Sequence, residues 1–196
     1  MATIEARQIQ TYTEDQGDIF DQTYYDTSTL AATQLTYNMF NTPVSNANPY
    51  SVTNLTDPGQ MSTGVQFQVQ QLGIRLYVDA ANPIVVPGLT MQTLFNQLGK
   101  AVLSFDIVGK GNMGEWPMQE LLGVTSFNIQ NGASILTTGG MNNIIPAFKK
   151  LRYPLNLASR VRFNVSLTFY GLASLDSAIA GINVKVLLRG VEQRRK

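Results

Sequence analysis

The sequence contains no cysteine and no histidine. Without cysteine, the chain can form no disulfide bond, no thiolate nucleophile and no thiolate metal site. Without histidine, it lacks the most common general base and the most common metal ligand, and neither a serine triad nor a cysteine–histidine pair can form within it. Catalysis would therefore depend on carboxylate, lysine or tyrosine side chains, or on a site shared with another chain.

Charged residues and long apolar runs are also scarce. Charged residues make up 14% of the 196 residues, and the net charge is +1. No apolar run reaches the length that spans a bilayer, and the first residues lack the apolar region of a signal peptide. We therefore expect a chain that has no transmembrane segment and is made in a cytosol. The hydrophobic content of 44% is typical of a globular domain.

The few charges are distributed unevenly along the chain. Residues 1–60 carry seven carboxylates and one arginine, whereas residues 141–196 carry ten lysines and arginines and two carboxylates. This segregation suits pairing between subunits, or a basic face that turns toward an anionic polymer. In the alternative interpretation, the two ends neutralise each other within one fold.

Three stretches alternate apolar and polar residues almost without a break: Val65–Asp79, Val161–Tyr170 and Ile182–Arg189. Successive side chains on a strand point to opposite faces, so each stretch predicts a strand with one buried face and one exposed face. The apolar positions of the first stretch change phase at Gln70 and Gln71, which predicts a β-bulge there.

Shorter signals complete an all-β prediction. Further strands are predicted at residues 101–108, 124–130, 134–138, 144–148 and 153–157, with one short helix at Thr90–Gly99. About seven or eight strands separated by turns are typical of a sandwich or a barrel. Residues 1–62 are polar and acidic and predict an extended arm or long loops, residues 63–190 predict the β-sandwich domain, and residues 191–196 predict a basic tail.

Two motifs suggest a cofactor-binding or catalytic site, but the residues around them do not supply the other parts of such a site. Gly109–Gly114 matches a dinucleotide-binding glycine pattern, yet no helix signal follows the third glycine and no acidic residue lies about twenty positions later. A loop between two strands is the simpler interpretation. Glu115 and Glu120 lie on either side of Trp116, but a spacing of five residues in a loop fixes no distance between two carboxylates. We predict no catalytic, cofactor-binding or metal-binding residues.

Basic side chains accumulate toward the C-terminus and predict a phosphate-facing surface. Its members are Lys149, Lys150, Arg152, Arg162, Lys185, Arg189, Arg194, Arg195 and Lys196. Such a surface would bind phosphates weakly and without sequence specificity. Arg162 would share a sheet face with Lys185 and Arg189 if their two strands were neighbours. In the alternative interpretation, these side chains only deter edge-to-edge aggregation of strands. Trp116, the only tryptophan, is the predicted contact aromatic.

The order of these parts resembles viral jelly-roll capsid proteins, and several segments look like structural proteins of tailless or unclassified bacteriophages. The similar segments are Phe40-Asn41-Thr42-Pro43, Thr53-Asn54-Leu55, Gly59-Gln60-Met61 with Phe67, Pro154-Leu155, Arg160-Val161-Arg162-Phe163 and Leu188-Arg189-Gly190. The resemblance implies an antiparallel, jelly-roll-like β-sandwich of about eight strands with one short helix and an extended N-terminal arm.

The resemblance also implies a function, and individual residues leave two alternatives to it. It implies a virion structural protein that assembles with copies of itself and with other virion proteins, and that contacts nucleic acid through its basic region. The first alternative is a carbohydrate- or receptor-binding module of a phage particle that uses Trp116 and nearby tyrosines as stacking platforms. The second is a carboxylate enzyme built on Glu115 and Glu120.

Overall fold

The computed structural model describes residues 17–47, 49–77, 96–122, 148–177 and 179–194. These residues form eight strands and a helix of five residues. The strands are β1 (Asp18–Thr29), β2 (Thr36–Met39), β3 (Val65–Tyr77), β4 (Ala101–Ile107), β5 (Gly111–Pro117), β6 (Lys149–Leu157), β7 (Phe163–Phe169) and β8 (Asn183–Arg194), and the helix is α1 (Met118–Leu122). Within these segments, no helix is long and apolar enough to cross a membrane.

The strands form two four-stranded sheets, and every hydrogen-bonded pair of strands is antiparallel. Sheet I has the order β1-β8-β3-β6, and sheet II has the order β2-β7-β4-β5. The first strand thus lies beside the last, the second beside the seventh, the third beside the sixth and the fourth beside the fifth. The apolar faces of both sheets belong to one buried cluster, so the architecture is a β-sandwich. The predicted all-β class is confirmed.

The alternating stretches form strands because one face of each is apolar. In β7, Phe163, Val165, Leu167 and Phe169 are buried, and the residues between them are only partly buried. The ring of Phe163 stacks on that of Phe105 in the neighbouring strand β4, with 5.7 Å between the ring centroids. The core therefore lies between the two sheets and consists mainly of the alternating apolar residues that are visible in the sequence.

The predicted bulge in β3 is confirmed. The pairing of β3 with both of its neighbours shifts register between Val69 and Gln71, so Val69 and Leu72 both reach the core. Gly190 on β8 lies opposite Val69. A Cβ atom at Gly190 would lie 2.8 Å from the carbonyl carbon of Gln68 and closer still to its oxygen. Glycine is therefore the residue that lets β8 pass the bulge.

The boundary predicted at residue 62 is wrong, because residues 18–29 and 36–39 form β1 and β2, one in each sheet. The predicted basic tail also needs correction, since β8 continues to Arg194. Residues 96–98 are helical, and Gly99 lies in a turn where the predicted helix was expected to end. The rest of that helix, the strands predicted at 124–130 and 134–138, and most of 144–148 lie outside the described residues, as does the arm before residue 17.

The outer edge of β1 is covered by the segment at residues 49–55. The backbone NH of Asn54 donates to the carbonyl of Tyr25 at 3.2 Å, and the side-chain amide of Asn54 donates to the carbonyl of Thr23 at 2.8 Å. In return, the NH of Tyr25 donates to Oδ1 of Asn54 at 2.8 Å. These bonds satisfy backbone groups that an exposed edge strand would offer to another chain.

A buried carboxylate joins β1 to the end of β2. Asp26 is 6% exposed and accepts a hydrogen bond from the backbone NH of Phe40 at 2.5 Å. Phe40 has a φ of 63°, an uncommon conformation for a bulky side chain. Burial raises the pKa of Asp26, although hydrogen bonds from Phe40 and other donors oppose the shift. Asp26 thus holds the chain where it crosses between the sheets.

Candidate interaction surface

The outer face of sheet I brings together basic side chains from three strands. In β8 the even-numbered residues reach the core, so Lys185 and Arg189 point outward. Arg189 lies opposite Gln71 of β3, which in turn lies opposite Lys150 of β6. Lys185 lies directly opposite Arg75 of β3. Two rows of the sheet therefore carry positive charge across neighbouring strands.

We term this set the basic face. It comprises Arg75, Lys150, Arg152, Lys185 and Arg189, of which Lys150, Arg152 and Arg189 are exposed. Asp21 on β1 is the only acidic residue that the described strands place on this side of sheet I. Arg75 was missed in the sequence analysis because it lies far from the C-terminal clusters, although its place in the polar phase of β3 is a visible signal.

Lys185 also holds the covering segment of β1 in place. Its Nζ donates to the carbonyl of Ser51 at 2.8 Å and lies 4.5 Å from the centroid of the Tyr25 ring. Burial lowers the pKa of Lys185, and the charge of Arg75 lowers it further. Lys185 therefore contributes charge to the basic face while it fastens residues 49–55 to the sheet.

Two arginines on the basic face each lie beside an aromatic ring. The guanidinium carbon of Arg152 is 5.5 Å from the centroid of the Tyr153 ring, and that of Arg189 is 5.6 Å from the centroid of the Phe148 ring. These distances are within the range of cation–π contacts. Tyr153 is 65% exposed, which is unusual for a ring of this size.

Other members of the predicted basic surface lie elsewhere. Lys149 forms an ion pair with Glu120 of α1. Arg162 precedes β7 of sheet II, and its carbonyl accepts a hydrogen bond from Val108 at 2.9 Å. Because β7 and β8 belong to different sheets, the condition for that prediction is not met, and Arg162 does not share a sheet face with Lys185. Arg195 and Lys196 lie outside the described residues.

Arg194 belongs to a polar cluster near the end of β8. Its Nε donates to Oε1 of Glu192 at 2.6 Å, and its guanidinium carbon lies 4.9 Å from the centroid of the Phe20 ring. The hydroxyl of Tyr24 donates to Oε2 of Glu192 at 2.7 Å. The side chain of Glu192 is 0% exposed. This cluster satisfies a buried carboxylate, which explains why Arg194 is not part of the basic face.

The other end of the same outer face is rich in amides. A groove of about 180 Å³ is lined by Ile19, Gln66, Phe67, Gln68, Asn156, Leu157, Ala158, Val191 and Gln193. The side-chain amide of Gln68 donates to Oδ1 of Asn156 across the strands at 3.1 Å. The outer face of sheet I therefore has a hydrogen-bonding half and a basic half.

Trp116, the predicted contact aromatic, packs on its own strand. It lies in β5, is partly buried and is in contact with the core cluster. A Cβ atom at Gly114 would lie 2.7 Å from two atoms of the indole ring, so only glycine allows the ring to approach the backbone this closely. One side of the ring is thus already covered.

We predict that Gly114→Ala displaces the indole ring of Trp116 and destabilises the fold by about 1 kcal/mol, because the added methyl group overlaps the ring. Trp116 is the only tryptophan, so its emission should shift to longer wavelength as the ring becomes more exposed. Lys110→Ala, in the turn before β5, is the control and should leave the emission unchanged. An unshifted spectrum in Gly114→Ala would show that the ring does not occupy this position.

In the described part of the chain, neither the glycine motif nor the two glutamates form part of a catalytic or cofactor-binding site. Gly109–Gly114 spans the turn between β4 and β5 and the first four residues of β5, so the loop interpretation holds only for residues 109–110 and no helix begins at the third glycine. Glu115 accepts a hydrogen bond from Asn112 at 3.2 Å, whereas Glu120 pairs with Lys149. Among the described residues, no group of three or more acidic side chains is arranged to hold a metal ion.

No protein-family model matches this sequence, and no match was found among curated proteins or among solved structures. The geometry of the two sheets and of their outer faces is therefore the basis for a functional proposal.

Proposed function

We propose that this chain is a virion structural protein, a self-assembling capsid subunit built on a jelly-roll β-sandwich. The observation that carries the proposal is the strand order, β1-β8-β3-β6 in one sheet and β2-β7-β4-β5 in the other. This order results when a long antiparallel hairpin of eight strands is rolled into two sheets. Jelly rolls of eight strands recur in viral capsid and lectin domains.

The two edges of sheet I are protected against pairing with strands of another chain. Residues 49–55 cover the outer edge of β1, and the edge strand β6 carries Lys150 and Pro154, both of which discourage pairing of edges. By contrast, the β4–β5 hairpin presents Val108 at 68% exposure and Met113 at 36% exposure. Exposed apolar side chains of this kind are candidates for subunit contacts.

We predict that the purified full-length chain forms particles of defined mass, measured by light scattering after size exclusion and imaged by negative-stain microscopy. The double variant Val108→Asp with Met113→Asp should shift the population toward monomer, because it places charge in an apolar contact. Lys110→Ala, at the tip of the same hairpin, is the matched control and should assemble as the parent does.

A chain that stays monomeric at high concentration across salt and pH would contradict the capsid proposal. If that monomer bound glycans on an array, and Trp116→Ala or Asn156→Ala removed the binding, a carbohydrate-binding module would be favoured instead. Asn156 lies in the amide-lined groove, where side-chain amides could bind sugar hydroxyls.

A further inference from the structure

We propose that the basic face of one copy packs against the outer face of sheet II of a second copy, so that subunits join head to tail through oppositely charged sheet faces. This contact rests on the capsid proposal, because it is one of the contacts through which copies would assemble. It involves the two broad faces of the sandwich and is distinct from the β4–β5 hairpin.

The outer face of sheet II carries negative charge and no positive charge. Ser104 of β4 lies opposite Glu115 of β5, and Asp106, the next outward residue of β4, lies opposite Asn112. Glu115 is exposed and Asp106 is partly buried. The four strands of sheet II contain no lysine or arginine. We term this surface, with its two carboxylates, the acidic face.

The charges of the two faces lack partners of opposite sign within one copy. In the described part of the chain, neither Asp106 nor Glu115 forms an ion pair. The three exposed cations of the basic face, Lys150, Arg152 and Arg189, form none there either. Because the two faces point in opposite directions from the sandwich, these charges can meet only between copies. Complementary charge of this kind steers association and fixes its register.

The acidic face is also flat, because most of its outward side chains are short. Its short neutral polar members are Thr36, Asn38, Ser104, Asn164, Ser166 and Thr168. Two sheets that face each other lie about 10 Å apart. An extended arginine or lysine spans most of that gap, so long side chains on one sheet pack best against short side chains on the other. The basic face has the long side chains, and the acidic face has the short ones.

Each face also has an apolar residue among its polar ones. Leu187 points outward from β8 between Lys185 and Arg189, and it lies opposite Gly73 of β3. Val102 points outward from β4. Both apolar side chains are only partly buried. An apolar centre with a polar rim is typical of interfaces between proteins.

Protection against aggregation does not account for the basic face. Lysine on an edge strand deters pairing with another chain, and Lys150 lies on the edge strand β6. Arg189 lies on β8, which has β1 on one side and β3 on the other. An arginine on such an interior strand protects no edge, whereas a contact with the acidic face gives it a partner.

The size of the contact sets its expected strength. Sheet II has four strands, and three of them have seven residues. With strands about 4.8 Å apart and a rise of about 3.3 Å per residue, the face measures roughly 400 Å². This is about half the area that each partner buries in a standard interface, so one contact should be weak and should weaken further in salt. Repetition of the contact at every subunit of a shell compensates for this weakness.

Reversal of charge on either face should prevent assembly of the full-length protein. The basic-face variant, Arg152→Glu with Arg189→Glu, presents two acidic faces, whereas the acidic-face variant, Asp106→Lys with Glu115→Lys, presents two basic faces. Each variant alone should need at least about tenfold more protein than the parent to reach half assembly, measured by light scattering at low salt. An equal mixture should assemble at about the concentration of the parent, because each variant then meets the opposite charge on the other.

A matched control reverses two positive charges outside the basic face. Lys100 and Arg162 are exposed in turns next to strands of sheet II, and Lys100→Glu with Arg162→Glu should assemble within about twofold of the parent. This control should not restore assembly to the acidic-face variant. Thermal unfolding of each variant checks that it is folded, and if the acidic-face variant unfolds, Glu115→Lys alone replaces it.

Carbodiimide coupling locates the contact directly, since it joins an amine to a carboxylate that touches it. We expect cross-links from Lys150 to Asp106 or Glu115, and a mixture of light and heavy isotope-labelled protein should show by mass spectrometry that they join different copies. Lys149 and Glu120 form an ion pair within one copy and provide the positive control. Coupling of that pair without any cross-link between the two faces would overturn the proposal.

The assembly results also decide the proposal. It is overturned if both reversed variants assemble as the parent does, or if their mixture stays unassembled. Loss of assembly in the basic-face variant alone would assign that face to a different partner, such as nucleic acid, and would overturn it too. Closed particles that resist both reversals contradict only this contact. A parent that forms short oligomers but no closed particle, with the same rescue in the mixture, contradicts only the capsid proposal.

Discussion

Gly190→Ala is expected to destabilise the protein by about 3 kcal/mol or more, the largest effect of any single substitution that we predict. The added methyl group would lie 2.8 Å from the carbonyl carbon of Gln68 and 3.1 Å from the backbone nitrogen of Gln70. Both atoms belong to the backbone of β3, which cannot rotate away as a flexible side chain could. Either β8 separates from β3 at this point, or the bulge rearranges.

The cause can be tested by removing the bulge. Deletion of Gln70 would restore strict alternation in β3, so that Phe67, Val69 and Leu72 occupy successive inward positions without the extra residue. Combined with Gly190→Ala, this deletion should recover part of the lost free energy of unfolding, because the two changes concern one contact.

Urea unfolding followed by circular dichroism measures both effects. Arg189→Ala, the exposed neighbour on the same strand, is the control and should change the free energy of unfolding by less than about 0.5 kcal/mol. Wild-type stability in Gly190→Ala, or purely additive effects of the deletion and the substitution, would show that the bulge does not require this glycine.

Tyr24→Phe is expected to cost about 1.5–3 kcal/mol of folding free energy, the range for a hydrogen bond to a charged group. The substitution removes the hydroxyl that donates to Glu192, whose side chain is 0% exposed. Arg194 would remain as a partner of that carboxylate, and the edge-on contact between Tyr24 and Phe67 would be retained. The loss therefore reports mainly on the buried carboxylate.

Tyr25→Phe is the matched control because it removes a hydroxyl from the next residue of the same strand. The hydroxyl of Tyr25 donates to the carbonyl of Tyr50 in an exposed position. Its removal should cost less than about 1 kcal/mol, since a solvent-accessible carbonyl regains water. Equal losses in the two variants would indicate that Glu192 does not depend on Tyr24.

The Tyr24 hydroxyl also predicts a loss of stability at high pH. Burial raises the pKa of Tyr24, and the hydrogen bond and charge of Glu192 raise it further. The unfolded chain releases this proton near a pH of about 10, whereas the folded chain keeps it to higher pH. The stabilisation is therefore complete below about pH 10 and is lost as the pH rises through the folded-state pKa. When the free energy of unfolding is measured below and above about pH 10, it should decline less in Tyr24→Phe than in Tyr25→Phe.

The sequence predicted the strands whose burial alternates residue by residue. β7 and β8 alternate between buried and partly exposed positions along most of their length, and this local period is visible without any partner strand. β1 was interpreted as part of an arm because its pattern does not alternate. One reason is that residues 49–55 cover its outer side, and another is that Asp26 occupies a buried position.

Strand order could not be derived from the same signals. β7 and β8 follow each other along the chain with similar patterns, yet they belong to opposite sheets. Neighbouring strands in a sheet are chosen by contacts between distant residues, such as those of Val65–Tyr77 with Asn183–Arg194. The jelly-roll assignment stays a proposal that this strand order supports.

By itself, the sequence determined the class of the fold, the bulge in β3 and the identity of the basic side chains, because each of these depends on residue type or on local periodicity. Only the tertiary structure decided which charges act together. It placed Arg75, Lys150 and Arg189 on one face, paired Lys149 with Glu120, and turned Arg194 to Glu192. The face on which a side chain lies depends on the sheet and register of its strand, and both are set by pairing across long stretches of chain.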